Sequence, residues 1–309
     1  MKSKIFLCVA LVTIWLTSCK NDEKVTDDAD LTEIYLSSGI SAQTRASFPA
    51  TDKQIAAGET VTVYVDDATF LTQLYGNNKL IADGYGGLKG GIPMFFPKTG
   101  NNVDIYAFHT NAILGAAYPA EAITHSIRAD QSALAGYVAS DMLYAVKKGV
   151  AKQSTAVALT FHHMLSKIQV GLVAGAGLTF MDIAKVEILN TKPDAVFTSC
   201  KYPIWQKIAA SGNITPIKIG KDVSLCFTPD CVCYNDAIIV PQVVSGKFIQ
   251  VTLANGAVLV YNLPLATTFN YGKKYIYHIT VNLTGLTVSS SIEDWDAAGF
   301  FYGEAEMEE

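Results

Sequence analysis

The chain has 309 residues, half of them hydrophobic and only 17% charged, with a formal net charge of −5. That balance argues for a packed globular protein rather than a disordered one. The slight acidity leaves no footprint for nucleic acid and no basic patch for an acidic lipid surface.

At the start, Met1-Lys2-Ser3-Lys4 places two positive charges ahead of an apolar run from Ile5 to Leu16. A basic start, a short apolar core and small residues at its exit make a secretory signal, too short to span a bilayer. The run closes on Leu16-Thr17-Ser18-Cys19, which resembles the bacterial lipobox. There the thiol receives a diacylglycerol and the chain is cut just ahead of it. Two acyl chains anchor stably where one is marginal. Residues 1–18 are expected to leave as a lipoprotein signal peptide, with Cys19 the lipidated first residue and lipid its route to the outer membrane. An ordinary signal with an incidental Cys19 is the plainer alternative. Removing residues 1–18 leaves 291, a length that suits two domains.

The segment after Cys19 carries Lys20, Asp22, Glu23, Lys24, Asp27, Asp28 and Asp30. With so little apolar surface it reads as a tether. Leu31 to Ile40 follows as a short strand, Ile34 and Leu36 on one parity. Arg45, the last arginine before Arg128, lies in a polar stretch that an endoprotease can reach, so residues 19–45 form a tether with a removable strand.

From Thr60 the chain reads as short strands between turns. Thr60 to Val65 is β-branched. The loop Asp83 to Gly91 is glycine-rich but lacks the Gly-Lys-Ser/Thr ending of a phosphate loop, and is expected to join a hairpin. Val103 to Phe108 alternates as a half-buried strand. Gly115 to Ser140 has room for a short helix, interrupted by Pro119 and Gly136. Met142 to Val146 and Val157 to Phe161 are strands. His162 and His163 point to opposite faces of a strand and lack an acidic or thiol neighbour at ligand spacing, so packed histidines with backbone partners are expected, not a metal site. The switch of apolar parity between Leu165 and Ile168 marks a bend.

Further strands are expected at Lys185 to Leu189, Val223 to Phe227, Ala237 to Val240, Phe248 to Leu253, Ala257 to Tyr261 and Tyr275 to Leu283. Asn255-Gly256 is a hairpin signal, and Pro241 ends a strand. Cys200, Cys226, Cys231 and Cys233 suit one or two disulfides in an exported chain, free buried thiols, or, with less fit to knuckle spacing, a metal site. Leu286, Val288, Ser290 and Ile292 share one face of a terminal strand that can add to a sheet in another molecule. Glu293-Asp294 reads as a solvated turn, and an acidic tail follows Trp295.

Many short strands without alternating helices make this an all-β chain of antiparallel sandwiches. The residues also resemble the fimbrillin family of type V pili from anaerobic Gram-negative bacteria. The resemblance rests on the lipobox, Arg45, Phe95-Phe96-Pro97 with Val103 to Ala107, Asp141 to Ala145, and Phe161-x-His163-x-Leu165-Ser166-Lys167-Ile168. It continues through Ile239-Val240-Pro241-Gln242, Tyr271 to Tyr277 and Ile292 to Trp295.

That resemblance implies two tandem transthyretin-like antiparallel β-sandwich domains after the lipoprotein signal, here residues 46–178 and 179–309. It implies a structural subunit (stalk, anchor or tip) of a surface fimbrium, first an outer-membrane lipoprotein. An arginine-specific surface protease would cut between Arg45 and Ala46, leaving 264 residues and uncovering a groove. The donor strand Leu286, Val288, Ile292 and Trp295 of the next subunit would fill it. Partners are then other fimbrial subunits and a host or glycan ligand, with no cofactor and no enzymatic chemistry. The alternative is a non-polymerising surface lipoprotein that binds glycans on exposed aromatics, with Tyr85, Trp205, Phe300, Phe301 and Tyr302 as candidates. No Gly-x-Ser-x-Gly elbow or His-Glu-x-x-His helix points to an enzyme.

Overall fold

A computed structural model of the chain describes residues 31–40, 54–119, 122–175, 177–178, 182–199, 206–220 and 234–295. The signal segment, Cys19, Arg45, Ala46, the four later cysteines, the expected strand Val223 to Phe227 and everything beyond Trp295 lie outside these residues. The described part is built from strands, with one five-residue helix, α1 (Leu134–Val138).

The first sheet collects β1 (Leu36–Ile40), β2 (Thr60–Asp67), β3 (Gln73–Ala82), β4 (Leu88–Lys89), β5 (Val103–His109), β7 (Leu143–Val150) and β8 (Val157–His163) in the order β1-β8-β7-β5-β2-β3-β4. Between β5 and β7 the chain forms β6 (Ile123–Ser126), which pairs with β11 (Asp194–Ser199) and through it with β12 (Gln206–Ser211). The remaining strands form two four-stranded sheets. One has the order β13-β10-β15-β16, from β10 (Ile183–Ile188), β13 (Ile217–Ile219), β15 (Gln242–Leu253) and β16 (Val258–Phe269). The other has the order β14-β9-β17-β18, from β9 (Ser166–Ala174), β14 (Tyr234–Ile239), β17 (Lys273–Asn282) and β18 (Gly285–Asp294).

Pairing between the described strands is antiparallel as expected, except that β1 runs parallel to β8 and β9 parallel to β17. The bend predicted between Leu165 and Ile168 is where the chain leaves one sheet, at His163, and enters another, at Ser166. The glycine-rich loop joins β3 to β4, Asp83 holding it by accepting from the backbone N–H groups of Tyr85 and Gly87. Asn255-Gly256 turns β15 into β16, and Pro241 falls between β14 and β15.

The central strands of the first sheet are buried on both faces, not on one. On one face Val61, Val63, Val65, Ile105, Ala107, Leu143 and Ala145 form a core with Ile34 and Leu36. On the other, Tyr64, Tyr106, Phe108 and Tyr144 pack against Tyr118 and Phe197, and the hydroxyls of Tyr118 and Tyr144 meet at 3.1 Å. Val103–Phe108 was expected to be half-buried, but its second parity is aromatic and lies under the β6-β11-β12 sheet. Asp104 is tolerated there because Lys148 Nζ (3.0 Å) and the Gly149 N–H (2.8 Å) donate to its carboxylate. The two four-stranded sheets enclose an aliphatic and aromatic core of Ile168, Val170, Val186, Ile188, Phe248, Ile249, Phe269 and Tyr277.

Three of the described strand pairings join residues on either side of position 178: β6 with β11, β9 with β14, and β9 with β17. The aliphatic and aromatic core of the later strands is therefore reached by residues early in the chain.

Candidate functional site

The segment 32–40 is held along both of its edges. On one side β1 runs beside β8 in the register Leu36–Val157, Ser38–Leu159 and Ile40–Phe161, and the Val157 N–H donates to Tyr35 O at 2.8 Å. On the other, Ile34 N–H donates to Met94 O (2.7 Å), Phe96 N–H to Thr32 O (2.9 Å) and Ser38 N–H to Gly86 O (2.7 Å). The segment thus closes the gap between β8 and the β4 end of the sheet.

Alternation does the rest. Ile34 and Leu36 are 4% and 6% exposed, while Tyr35 between them is 53% exposed. Burying each of these two aliphatic side chains stabilises by about 1.5–3 kcal/mol. Strand β8 depends on this neighbour: it pairs with β1 at five positions but with β7 at Leu143–His163 and Tyr144–His162.

Gly86 makes the close approach possible. Its φ of +97° is a left-handed conformation, and a Cβ there would stand 2.9 Å from Ser38 O. The glycine-rich loop is one wall of the seat for β1, a role beyond the hairpin connection its composition predicts.

The C-terminal strand has a looser home. Among the described residues β18 pairs with β17 alone and forms the edge of its sheet. Leu286 and Val288 are half-covered, and Ile292 is 63% exposed. Glu293 and Asp294, expected in a turn, end the strand and pair across it with Lys274 (3.0 Å) and Lys273. Alternating charges on adjacent strands suit a ladder better than a bend.

Trp295 closes the strand and is buried. Its ring stacks on His163, centroids 3.6 Å apart and planes 11° from parallel. His163 Nδ1 lies 3.0 Å from the Asp141 carboxylate. Lys167 Nζ bonds Asp236 at 2.9 Å and stands over the rings of Tyr137 and Trp295. Burial alone pushes the Asp141 carboxyl up, but chiefly the charge and hydrogen bond of His163 hold it below its ordinary value. A small cleft lined by Ile40, His109, Tyr137, Asp141 and Leu143 lies where β1 ends. Asp141 therefore borders both the end of β1 and the anchor of β18.

His125 is separate in role. It is driven down to about 4, chiefly by burial, so its ring is neutral at neutral pH. It donates from Nε2 to Ser140 O (3.0 Å) and accepts at Nδ1 from the Thr110 hydroxyl (2.9 Å).

Of the residues singled out as sites, Leu286, Val288, Ile292 and Trp295 fall on β18 and its end. Cys19, Arg45, Ala46, Cys200, Cys226, Cys231 and Cys233 lie outside the described residues, as do Trp205, Phe300, Phe301 and Tyr302. Tyr85 is 88% exposed on the glycine-rich loop. Among the described residues, no group of three or more His, Cys, Asp or Glu is placed to hold a metal ion.

The fimbrillin-like family model matches residues 44–295. A chain from Bacteroides uniformis described as a candidate fimbrium subunit is 25% identical, over 96% of each chain. Of solved structures, a candidate cell-adhesion protein from Bacteroides uniformis superposes with a TM-score of 0.61 at 21% identity, over 85% of this chain and 98% of that one. The tip fimbrial protein Mfa3 from Porphyromonas gingivalis, with a C-terminal truncation, superposes with a TM-score of 0.51 at 10% identity, over 86% and 100%. The family-model match, over well more than half of the chain, leads to one assignment: the chain belongs to the fimbrillin-like family.

Proposed function

We infer that this fimbrillin-like chain is a structural subunit (stalk, anchor or tip) of a cell-surface fimbrium, exported as a lipoprotein on Cys19 and assembled by protease-triggered strand exchange. The observation that carries the reading is the seating of residues 32–40. This segment fills the seam between two backbone edges, contributes Ile34 and Leu36 to a core, and is followed five residues after its end by Arg45. Cutting after Arg45 would free it from the rest of the chain on its C-terminal side.

Loss of the segment would leave β8 with an unpaired edge and an apolar trough beside it. An unpaired edge of that kind is a template for a strand from another chain. The incoming strand supplies backbone hydrogen bonds for affinity and alternate side chains for fit. No bond in this protein is made or broken by its own residues, and the partners are other fimbrial subunits and an arginine-specific surface protease. The division into sandwich domains near residue 178 belongs to the same reading, with β6 and β9 each lent across it.

An arginine-specific protease tests it on the purified exported chain. The expected result is a product beginning at Ala46, followed by SDS-resistant ladders. A cut product that stays monomeric would sink the strand-exchange reading. N-terminal sequencing of the protein on intact cells then separates a processed subunit from a retained lipoprotein. Metabolic lipid labelling that persists in Cys19→Ala would refute the lipobox assignment.

A further inference from the structure

One end of the first sheet gathers three turns and the start of β1. Asp67 pairs with Val103, Val103 with Val150, and Leu36 with Val157. The β2–β3 turn (residues 68–72), the loop 97–102 before β5 and the loop 151–156 before β8 therefore share this end. The chain enters β1 here too, and the Phe96 N–H bond to Thr32 O joins that entry to the loop 97–102. His109, Leu143 and His163 mark the opposite end, from which the chain passes on to β9.

The β2–β3 turn presents Phe70 and Leu71, each 66% exposed. Among the described residues they are the only large hydrophobic side chains that are both exposed and adjacent in sequence. Single exposed apolar residues are ordinary, but an adjacent pair at a turn tip needs a reason. Fraying is not that reason, because the turn is tightly bonded. Asp67 Oδ1 accepts from the N–H groups of Thr69 (2.8 Å) and Phe70 (3.0 Å), and Asp67 O accepts from Leu71 N–H (2.8 Å). Asn101 Nδ2 donates to Asp67 Oδ2, and Ala68 N–H to Asn102 O, both at 2.9 Å, so the tip is tied to the next loop. Leu71 has a φ of +56°, a left-handed conformation that suits glycine and strains leucine. A strained residue kept for an outward apolar side chain points to a use for that side chain.

We propose that Phe70 and Leu71 insert into the lipid bilayer that holds the acyl chains of Cys19, an inference that rests on the lipoprotein reading. Only residues 20–31 separate Cys19 from Thr32, where the chain joins this end of the sheet. Even fully extended, that stretch reaches no more than about 45 Å. The end of the fold that the tether joins is thus the end it keeps beside the bilayer.

Charge favours the same occupant. The three loops contain Lys98 and Lys152 and no Asp or Glu, in a chain with 28 acidic residues against 23 basic ones. Headgroup phosphates attract such a rim and repel an acidic one. Apolar side chains on a rigid tip then reach about 5–10 Å in, to the boundary of headgroups and acyl chains. A second copy is the poorer occupant, because two side chains fall far short of the roughly 800 Å² per partner of a stable protein interface. The acyl chains limit distance, and the tip sets orientation, with the β9 end of the sheet held away from the lipid. Two side chains bind too weakly to retain the chain alone, so loss of the tether releases the tip as well.

Tryptophan emission reads the insertion. The full-length chain, acylated in cells, is placed in vesicles of phosphatidylcholine and phosphatidylglycerol, with or without bromine on the acyl chains. The emission added by Phe70→Trp is expected to shift to the blue and to be at least halved by bromine. The control is Leu283→Trp, at a position 56% exposed in the β17–β18 turn, beside the end of β9 remote from β8; its added emission should keep its intensity. A chain that floats with the vesicles but shows no quenching at position 70 overturns the insertion and leaves lipidation standing. A chain that does not float overturns the Cys19 reading and the proposal with it. Equal quenching at both positions overturns the role of the tip. Phe70→Ser with Leu71→Gly removes the apolar pair while suiting the turn. On vesicles, amide exchange at residues 98–102 should quicken at least threefold in that acylated double variant, and stay unchanged in its unacylated Cys19→Ala form. No quickening on vesicles overturns the inference.

Discussion

Trp295 and His163 lie ring on ring, 132 positions apart in the chain, and this contact ties the last described strand to the end of β8. Around it, the Asp141 carboxylate orients the imidazole and the Lys167 ammonium caps the indole face. A large aromatic at a strand end, held by stacking and a cation, fixes a strand that its own sheet covers poorly.

Trp295→Ala is therefore expected to loosen β18 specifically. The loss of a buried indole should cost about 3–5 kcal/mol where the site cannot collapse. Amide exchange should rise across Gly285–Asp294 more than in β2 or β5. Equal protection throughout would show that β18 does not depend on its anchor.

Lys167 and Asp236 form a buried pair, and removing one partner leaves the other charge without its counterpart. Lys167→Met should destabilise the chain by about 3–5 kcal/mol in urea unfolding. Lys167→Met with Asp236→Leu should recover most of that loss. A double variant no more stable than the single one would show that the pair matters for more than its charge balance.

Gly86→Val tests the wall of the seat. The positive φ and the approach to Ser38 O both resist a side chain, and a left-handed non-glycine residue alone costs about 1–3 kcal/mol. Thermal unfolding should fall accordingly. Exchange should quicken at residues 36–40 and in β8, with β17 unaffected.

Acid should act in two windows. The His125 ring in the folded chain titrates near 4, against an ordinary 6.5, so the unfolded chain takes up the proton first. Stability is then full above about 6.5 and declines as the pH falls toward 4, by on the order of 3 kcal/mol. The urea midpoint measured from pH 7 to pH 4 should follow this slope, and His125→Asn should flatten it. Asp141 is lowered from its ordinary value, so its share is present above the carboxylate range and is lost only as the pH falls through its folded value.

Local patterns carried much of this molecule. Ile34 and Leu36 announced a buried strand face two residues apart, and Asn255-Gly256 announced its hairpin without help from distant residues. The turns at Asp83–Gly87 and Pro241 were equally legible, since backbone constraint is local. Strand β3 was hidden because Gln73, Asn77, Asn78 and Lys79 blur the alternation, and Asn77 with φ +48° breaks its pleat. Val103–Phe108 misled by alternating, because the second parity is apolar too once aromatic residues are counted. The parallel course of β1 beside β8 has no local signature at all. Asp141, His163, Lys167 and Trp295 were each visible as parts of family motifs, but only folding brings them within 6 Å of one another's groups.

β1 lies parallel to β8, so a strand that takes its place in the same chain direction reproduces its register. If, as proposed above, a neighbouring subunit supplies that strand, the two copies are unlike at their contact, and repetition gives an open filament with a head and a foot. On the same reading a subunit that kept its own first strand would lend but not receive, and would end such a filament.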